Sequence, residues 1–218
     1  RVAYRETITQ AVESDTKFEQ PLDGKEQFAY CKISLEPIEA GGGFEFENKL
    51  SAAQLPEILA ESVEHGIRGA LSNGVLAGFA VIDLKATLVS ADYLEELSTE
   101  VAFSIAGINV IRAGLQKAKP ILVEPSMKIE VVAPVAFTGE VVGDLNARHG
   151  RIRGMDEQGG IQVISAEVPL AEMFGYSTRL RSLTQGRASF TMHFSHYTSV
   201  TEATRKALTG ESASSGRA

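Results

Sequence analysis

The sequence predicts an α+β fold divided into two domains. With 218 residues, of which 44% are hydrophobic, the chain is long enough to form two cores of ordinary size. The predicted order of elements also differs between the halves, being β-β-β-α-β-α up to Pro120 and β-α-β-β-α-β after it. We therefore expect one domain at 1–120, a second at 121–200 and a tail at 201–218.

In the first half, alternating residues predict strands, and apolar residues that recur every three or four positions predict helices. The first helix begins near Pro56, which suits a first helical position, and Asn73-Gly74 ends it. Pro120 ends the second helix because it cannot continue one. The predicted elements are a strand at the N-terminus, strands at 28–37 and 44–48 around a turn at 41–43, a helix at 56–71, a strand at 79–89 and a helix at 101–115.

The second half predicts the split β-α-β order of ferredoxin-like domains. Phe137, Val141 and Leu145 share one helical face, and Gly150 ends that helix. Glycines at 159 and 160 indicate the turn of a hairpin. The predicted elements are a strand at 121–134, the helix before Gly150, hairpin strands at 151–155 and 161–168, a helix from about 170 to 184, and a half-buried strand in which Phe190, Met192 and Phe194 alternate with polar residues.

The two ends of the chain differ from the domains between them. The chain begins with Arg1 inside a strand-like pattern rather than with Met, which indicates a fragment of a longer protein. The tail from Thr201 is rich in Ser, Ala and Gly and has few large apolar residues. Such a composition cannot offset the entropy of ordering, so we expect the tail to be disordered.

Charge and hydrophobicity limit the class of protein. The net charge is -7, and residues 1–120 carry 11 Lys and Arg against 18 Asp and Glu, whereas 121–200 carry 7 against 8. Contact with RNA phosphates is therefore expected only from local patches of the second half, and no DNA partner is expected. No membrane-spanning run or signal peptide occurs, which predicts a cytoplasmic protein without a membrane partner. The single cysteine, Cys31, is expected to be a small buried residue.

Motifs for independent catalysis are missing from the sequence. No G-x-x-x-x-G-K-[ST] phosphate loop occurs, and an N-K-x-D pattern that begins at Asn48 has Ser51 where the carboxylate is needed. The sequence has no G-x-S-x-G nucleophile, and His193 and His196 would lie on opposite faces of a strand, where they cannot share a metal. We therefore expect no catalytic residue, metal or cofactor in this chain.

Three segments of the second half share long, specific patterns with one known family. They are VPLAEMFGYSTRLRSLTQGRASFTMHFSHY at 168–197, GDLNARHGRIRGM at 143–155 and VEPSMKIEVVAP at 123–134. Together they closely resemble the last domain of elongation factor G. The first half, through AYRETI at 3–8, SLEPIEAGGGFEFEN at 34–48 and the segment 100–125, resembles the fourth domain of the same family more loosely.

This resemblance implies both a fold and a function. The first domain would have the β-α-β fold seen in certain ribosomal proteins and GHMP kinases. The chain would be the C-terminal portion of a translational GTPase that promotes movement of tRNA and mRNA through the ribosome, with GTP and Mg²⁺ bound by an N-terminal domain that lies outside this sequence. Its partner would be the ribosome, through large-subunit RNA near the sarcin-ricin loop and the stalk base and through the small-subunit decoding region.

Cations at two helix ends are the candidate contacts to ribosomal RNA. One set follows the first helix of the second half and the other follows its second helix, and side chains in both could bind phosphate oxygens without reading bases. The alternative interpretation is that they only cap helix C-termini, where cations favour the dipole. The candidates are Arg148, His149, Arg151, Arg153, Arg181, Gln185 and Arg187.

The first domain departs from the family at both loops of its tip. The family has a Gly-rich basic loop ending in Gln-Tyr-Gly-His where this chain has KFEQPLDGKEQFAY at 17–30, and a His after Tyr where this chain has Leu94 in SADYLEELS at 90–98. Carboxylates repel phosphate at close range, so contact with the decoding region is in doubt. The tip residues are Lys17, Glu19, Asp23, Lys25, Glu26, Asp92, Tyr93, Leu94, Glu95 and Glu96.

Three functions therefore remain open. The chain is part of an active translocase, or of a divergent paralogue that acts in ribosome recycling, ribosome protection or regulation, or it is a free-standing protein-binding module. An upstream phosphate loop and an intact N-K-x-D would exclude the free-standing module.

Overall fold

The computed structural model describes residues 2–211 and divides into two compact units. Within the described residues, one unit contains Tyr4–Val123 and Val200–Glu211, and the other contains Val2–Ala3 and Glu124–Ser199. Both units combine a sheet with helices, which confirms the predicted α+β class. The division into units falls just after Val123, three residues beyond Pro120, and the described segment after Ser199 belongs with the first unit.

The first unit is built on a four-stranded sheet packed against two helices. Its elements are β1 (Arg5–Thr7), β2 (Val12–Leu22), β3 (Lys25–Pro37), β4 (Phe44–Asn48), α1 (Glu57–Ala70), β5 (Leu84–Asp92), α2 (Glu100–Lys117) and α5 (Glu202–Thr209). The strand order is β2-β3-β5-β4, in which β4 runs parallel to β5 and the other pairs are antiparallel. Strand β1 pairs with residues 121–123, which begin the long strand that continues into the second unit.

Alternation along β3 explains how this sheet forms its core. Ala29, Cys31, Ile33 and Leu35 are fully buried, whereas the residues between them are partly exposed. A strand with this period of two presents one apolar face, and here that face packs with the buried sides of α1 and α2. The prediction that Cys31 is a small buried residue is confirmed.

Two predictions for the first unit are wrong. Strand β2 was not predicted, because its residues VESDTKFEQPL are mostly polar and bury only Ser14 and Phe18. The strand forms instead because its backbone pairs with β3 in an antiparallel ladder of hydrogen bonds. The strand predicted at 79–89 is β5 at Leu84–Asp92, because Asp83 has a φ of 63° and interrupts the extended backbone.

The second unit has the predicted β-α-β-β-α-β order. Its elements are β6 (Ile121–Pro134), which starts at the end of the first unit, α3 (Thr138–Ala147), β7 (Arg151–Gln158), β8 (Ile161–Pro169), α4 (Tyr176–Leu183) and β9 (Ser189–Ser199). Strand β6 pairs with β8 and β9, and β7 pairs with β8. The core lies between the sheet and the two helices, which bury Val141, Leu145, Tyr176 and Leu180.

Three further predictions need correction. The helix expected from about 170 is a 3-10 turn at Leu170–Glu172, and α4 begins at Tyr176 because Gly175 has a φ of 76° that no right-handed helix contains. Strand β9 is more exposed than predicted, with Phe194 56% exposed. The tail predicted to be disordered from 201 forms α5, whose N-cap Thr201 accepts a hydrogen bond from the Thr204 amide; its remainder at 212–218 lies outside the described residues.

Candidate nucleic-acid interface

Arg148, the first candidate, is part of the internal structure of the second unit. Its Nε atom lies 3.0 Å from Asp144 Oδ2, and its side chain is 17% exposed. Its Nη1 atom donates to the Glu172 carbonyl at 2.6 Å, and the guanidinium lies 4.9 Å from the centre of the Tyr176 ring. A guanidinium with these partners has few donors left for a phosphate.

His149 and Gly150 close the C-terminus of α3. His149 has a φ of 59°, a left-handed conformation, and the Gly150 amide donates to the Leu145 carbonyl at 2.9 Å. A Cβ atom on Gly150 would lie 2.6 Å from the Leu145 oxygen, so this close return needs glycine. The exposed His149 ring has its Nδ1 atom 3.2 Å from Glu172 Oε1. The predicted helix end at Gly150 is therefore a C-terminal cap built with His149.

Arg151 and Arg153 lie at the start of β7, opposite Glu167 of β8. Arg153 Nη2 contacts Glu167 Oε2 at 2.7 Å, and this hydrogen bond lowers the pKa of the Glu167 carboxyl. Arg151 is the backbone partner of Glu167 but forms no ion pair with any residue between 2 and 211. Of the three arginines at 148–153, Arg151 is the one that is exposed and has no ion pair among the described residues.

Arg181, Gln185 and Arg187 surround the C-terminus of α4 and are exposed. The Gly186 amide donates to the Arg181 carbonyl at 2.9 Å and the Arg187 amide to the Thr184 carbonyl at 3.0 Å, so the turn after the helix is tightly hydrogen-bonded. Arg187 stacks 5.9 Å from the centre of the Phe137 ring. Neither arginine forms an ion pair within the part of the chain that the structure describes. This turn presents two unneutralised guanidinium groups.

The structure does not bring the two sets of candidates together. Arg187 lies against Phe137, which precedes α3, whereas Arg148 bonds Glu172, which precedes α4. The sets thus lie at opposite ends of the helical layer, about 12 Å apart along the eight residues of α4. Arg179, which is not among the predicted contact residues, lies between them, and its Nε atom is 3.4 Å from Asp144 Oδ1. The periodicity of α4 alone could have placed Arg179 on this face.

Near Arg148 the unit buries several ionisable groups. Burial, with a smaller contribution from Asp144, raises the pKa of the Tyr176 hydroxyl to about 12, and Arg148 opposes this change. The pKa of the buried Glu124 carboxyl is also raised, by burial and by Glu172. Raised pKa values favour the neutral forms of both groups, so neither of them adds positive charge that would attract a phosphate.

The first tip segment is a β-hairpin rather than a loop. Residues 17–22 and 25–30 belong to β2 and β3, and Asp23 and Gly24 form the turn with φ values of 51° and 77°. Positive φ at both central positions is the geometry of a type I′ turn, which Asp-Gly favours. Lys17 and Glu19 form an exposed ion pair at 3.0 Å. Glu19, Asp23, Lys25 and Glu26 are all exposed at this end.

The second tip segment is joined to this hairpin by hydrogen bonds. The Ser98 hydroxyl donates to the Phe28 carbonyl at 2.6 Å and accepts from the Leu94 amide at 2.9 Å, and the Phe28 amide donates to the Leu97 carbonyl at 2.8 Å. Tyr93 packs against the core of the unit, whereas the Leu94 side chain is exposed. Asp92, Glu95 and Glu96 are exposed as well. The structure therefore brings both predicted tip segments together as one acidic end.

Within residues 2–211 there is no group of three or more His, Cys, Asp or Glu side chains arranged to hold a metal ion. In the same part of the chain, none of the helices combines the length and the apolar character that crossing a bilayer requires.

Two family models match the chain in succession. Residues 1–119 match "Elongation factor G, domain IV", and residues 121–208 match "Elongation factor G C-terminus". This chain is also similar to a protein from Thermus thermophilus whose crystal structure is known. The two sequences are 36% identical, and the structures superpose with a TM-score of 0.88, covering 97% of this chain. The match covers 32% of the Thermus chain, so the sequence spans about a third of that relative's length.

Proposed function

Because this chain belongs to the elongation factor G family and carries its domain IV and its C-terminal domain in order, we propose that it is the ribosome-binding portion of a translational GTPase that promotes translocation of tRNA and mRNA. The observation that carries the proposal is the succession of the two family matches, over residues 1–119 and 121–208. The exposed Arg181 and Arg187 on the turn after α4 are the side chains that we assign to the RNA contact. In this role the C-terminal domain binds large-subunit RNA through phosphate contacts, near the sarcin-ricin loop and the stalk base.

The nucleotide chemistry of this proposal belongs to a preceding domain. The chain itself has no G-x-x-x-x-G-K-[ST] loop to hold a triphosphate. A GTPase domain located N-terminal to this sequence would bind GTP and Mg²⁺, and the protein would work in the cytoplasm. Reading the upstream sequence tests this part directly, since a chain with no phosphate loop there would instead be a free-standing binding module.

A salt series with purified large ribosomal subunits tests the RNA contact. The double variant Arg181→Glu and Arg187→Glu is expected to pellet less with the subunits and to show a shallower salt dependence, because each lost phosphate contact lowers the slope by about one. Lys49→Glu with Arg112→Glu is the matched control, since it makes the same change in net charge at exposed positions of the first unit. Equal pelleting of both variants across the series would contradict the proposed contact.

The acidic tip supports a second candidate function. Glu19, Asp23 and Glu26 on the hairpin and Asp92, Glu95 and Glu96 beside it are exposed where a tip that approaches RNA would need cations. A paralogue that acts in recycling, ribosome protection or regulation through large-subunit contacts alone would not need cations at this tip. Measuring single-turnover translocation against ribosome splitting with the full-length protein separates the two functions.

A further inference from the structure

Helices α1 and α2 approach each other unusually closely at two glycines. A Cβ atom on Gly66 would lie 2.1 Å from the Ser104 carbonyl oxygen, and one on Gly107 would lie 2.4 Å from the Val63 oxygen. The small residues Ser62, Gly66, Gly69 and Ser104 at and beside this contact help to line an open groove of about 720 Å³ between the helices. The side chains that line this helix groove include Ile58, Glu61, His65, Glu100, Val101 and Ile105.

The helix groove exposes large apolar side chains. Ile58 is 53% exposed and Val101 is 59% exposed, each in the first turn of its helix. Ile105 and Ile108 continue the apolar lining and are only partly buried. Covering such side chains stabilises a complex by roughly 25 cal/mol for each Å² removed from water. The groove is therefore suited to receive an apolar side chain.

The lining of the helix groove contains two carboxylates and no Lys or Arg side chain from residues 2–211. Glu61 and Glu100 line it, and neither forms an ion pair with a Lys or Arg of residues 2–211. The dipole of α2 accounts for Glu100 in its first turn, but Glu61 lies beyond the first turn of α1. Arg68, the cation of α1, is directed elsewhere, with Nε 2.9 Å from Glu64 and its guanidinium 4.9 Å from the Phe44 ring centre.

This combination selects one kind of occupant. An RNA backbone would bring phosphates against Glu61 and Glu100, and a second copy of the chain docked groove to groove would bring carboxylates against carboxylates. A cationic protein segment would be attracted by the same charges, and an apolar residue on it would fill the space beside Ile58 and Val101. We propose that the helix groove binds a Lys- or Arg-rich segment of a partner protein through an aliphatic or aromatic anchor. This site is separate from the RNA contacts proposed for the second unit.

Two synthetic peptides test the proposal by NMR titration of the 218-residue chain. One is lysine-rich with two leucines one helical turn apart, and the other has serine in place of both leucines. The leucine peptide is expected to shift amides of α1 and α2 along the groove and to bind about tenfold more tightly than its serine twin, because only the former can fill the apolar lining. Equal affinity of the two peptides, or shifts confined to the β2–β3 hairpin, would overturn the proposal.

Paired variants test whether the leucine peptide binds in the helix groove. Ile58→Ser with Val101→Ser, and separately Glu61→Gln with Glu100→Gln, are each expected to weaken the leucine peptide by about tenfold. The matched controls are Val135→Ser with Ile161→Ser and Glu39→Gln with Glu157→Gln, which change exposed residues outside the groove and should stay within about twofold. Groove shifts caused by a single-stranded RNA, or by raising the protein concentration alone, would replace the proposed partner with RNA or with a second copy.

Discussion

At the scale of single residues, Arg148 shows how a cation in a basic segment becomes a structural group. The segment GDLNARHGRIRG places it close to two other arginine positions, and nothing in its spacing distinguishes it from Arg151. In the fold, Arg148 points at Asp144, two backbone carbonyls and the Tyr176 ring, whereas Arg151 stays exposed. Charge in the sequence is therefore a poor guide to charge available for a partner.

The free energy of unfolding should separate these two arginines. Arg148→Met is expected to destabilise the second unit by about 2–4 kcal/mol, because it leaves Asp144, which is 11% exposed, with only the weaker Arg179 contact. Arg151→Met should change stability by less than about 0.5 kcal/mol. Urea unfolding monitored by circular dichroism measures both, and a similar cost for the two variants would show that the Asp144 contact contributes little.

Cys31 should be inert in the folded protein. Its thiol is fully buried, and that burial raises its pKa to about 12, with Asp15 adding to the shift. We expect a thiol reagent such as DTNB to react at least about a hundredfold more slowly with the native chain than with the chain in urea, since reaction needs local opening. Rapid reaction in native buffer would show that β3 opens readily.

The same pKa sets the sign of a pH effect on stability. The unfolded thiol has a pKa of about 8.5. Between that value and the raised pKa of the folded state, the folded state holds a proton that the unfolded state has lost. Stability from Cys31 is thus complete below the unfolded pKa and falls as the pH rises above it. Comparison with Cys31→Ala over this range isolates the contribution, since the variant should lose stability less steeply.

At the scale of elements, the contact between α1 and α2 depends on the absence of a side chain. Val63 and Ile67 predict the buried face of α1, but its spacing does not reveal that Gly66 touches the backbone of α2. The two helices cover the sheet of the first unit together, so their separation determines how β3 and β5 are packed. The glycine at position 66 thereby sets the distance between the two helices that cover the sheet.

Gly66→Ala should therefore be strongly destabilising. The added Cβ would lie 2.1 Å from the Ser104 carbonyl oxygen, and a backbone atom cannot move aside as a flexible side chain can. We expect a loss of about 2–3 kcal/mol, against a gain of up to about 1 kcal/mol for Gly69→Ala, whose Cβ would meet nothing within 4 Å in the same helix. Thermal unfolding of both variants measures the difference, and a stable Gly66→Ala chain would mean that the helices can separate at little cost.

At the scale of the whole molecule, the sign of charge on the tip is the feature that bears most on function. The β2–β3 hairpin and residues 93–98 form one end of the first unit, held by Ser98, and six exposed carboxylates lie on or beside them. Electrostatic repulsion from phosphate acts over about 10 Å at 0.1 M salt. It would therefore slow the approach of the tip to RNA more than it would change the structure of the bound complex.

Replacing the acidic tip should speed translocation if the full-length protein is a translocase. Glu19→Gln, Asp23→Asn and Glu26→Gln combined with Leu94→His are expected to raise the single-turnover rate several-fold at low salt, with a smaller gain at high salt. Glu36→Gln, Glu39→Gln and Glu45→Gln provide a matched control at exposed carboxylates away from the tip. A wild-type rate equal to that of an ordinary elongation factor G on the same ribosomes would leave the acidic tip without this effect.

The sequence by itself determined the properties that depend on neighbours along the chain. Alternation in β3, the helical spacing of α1 and α2 and the Gly159-Gly160 turn predicted the element types, and the segment 168–197 predicted the family. Only the tertiary structure decided which distant residues meet. It shows that the polar strand β2 is stabilised by hydrogen bonds to β3, and that the Arg148 side chain contacts residues of its own unit rather than solvent. It also shows that the candidates at 148–153 and those at 181–187 lie at opposite ends of the helices. The physical reason is that periodicity specifies which side of an element is apolar, whereas the partner of each charge depends on how elements pack, which no local spacing encodes.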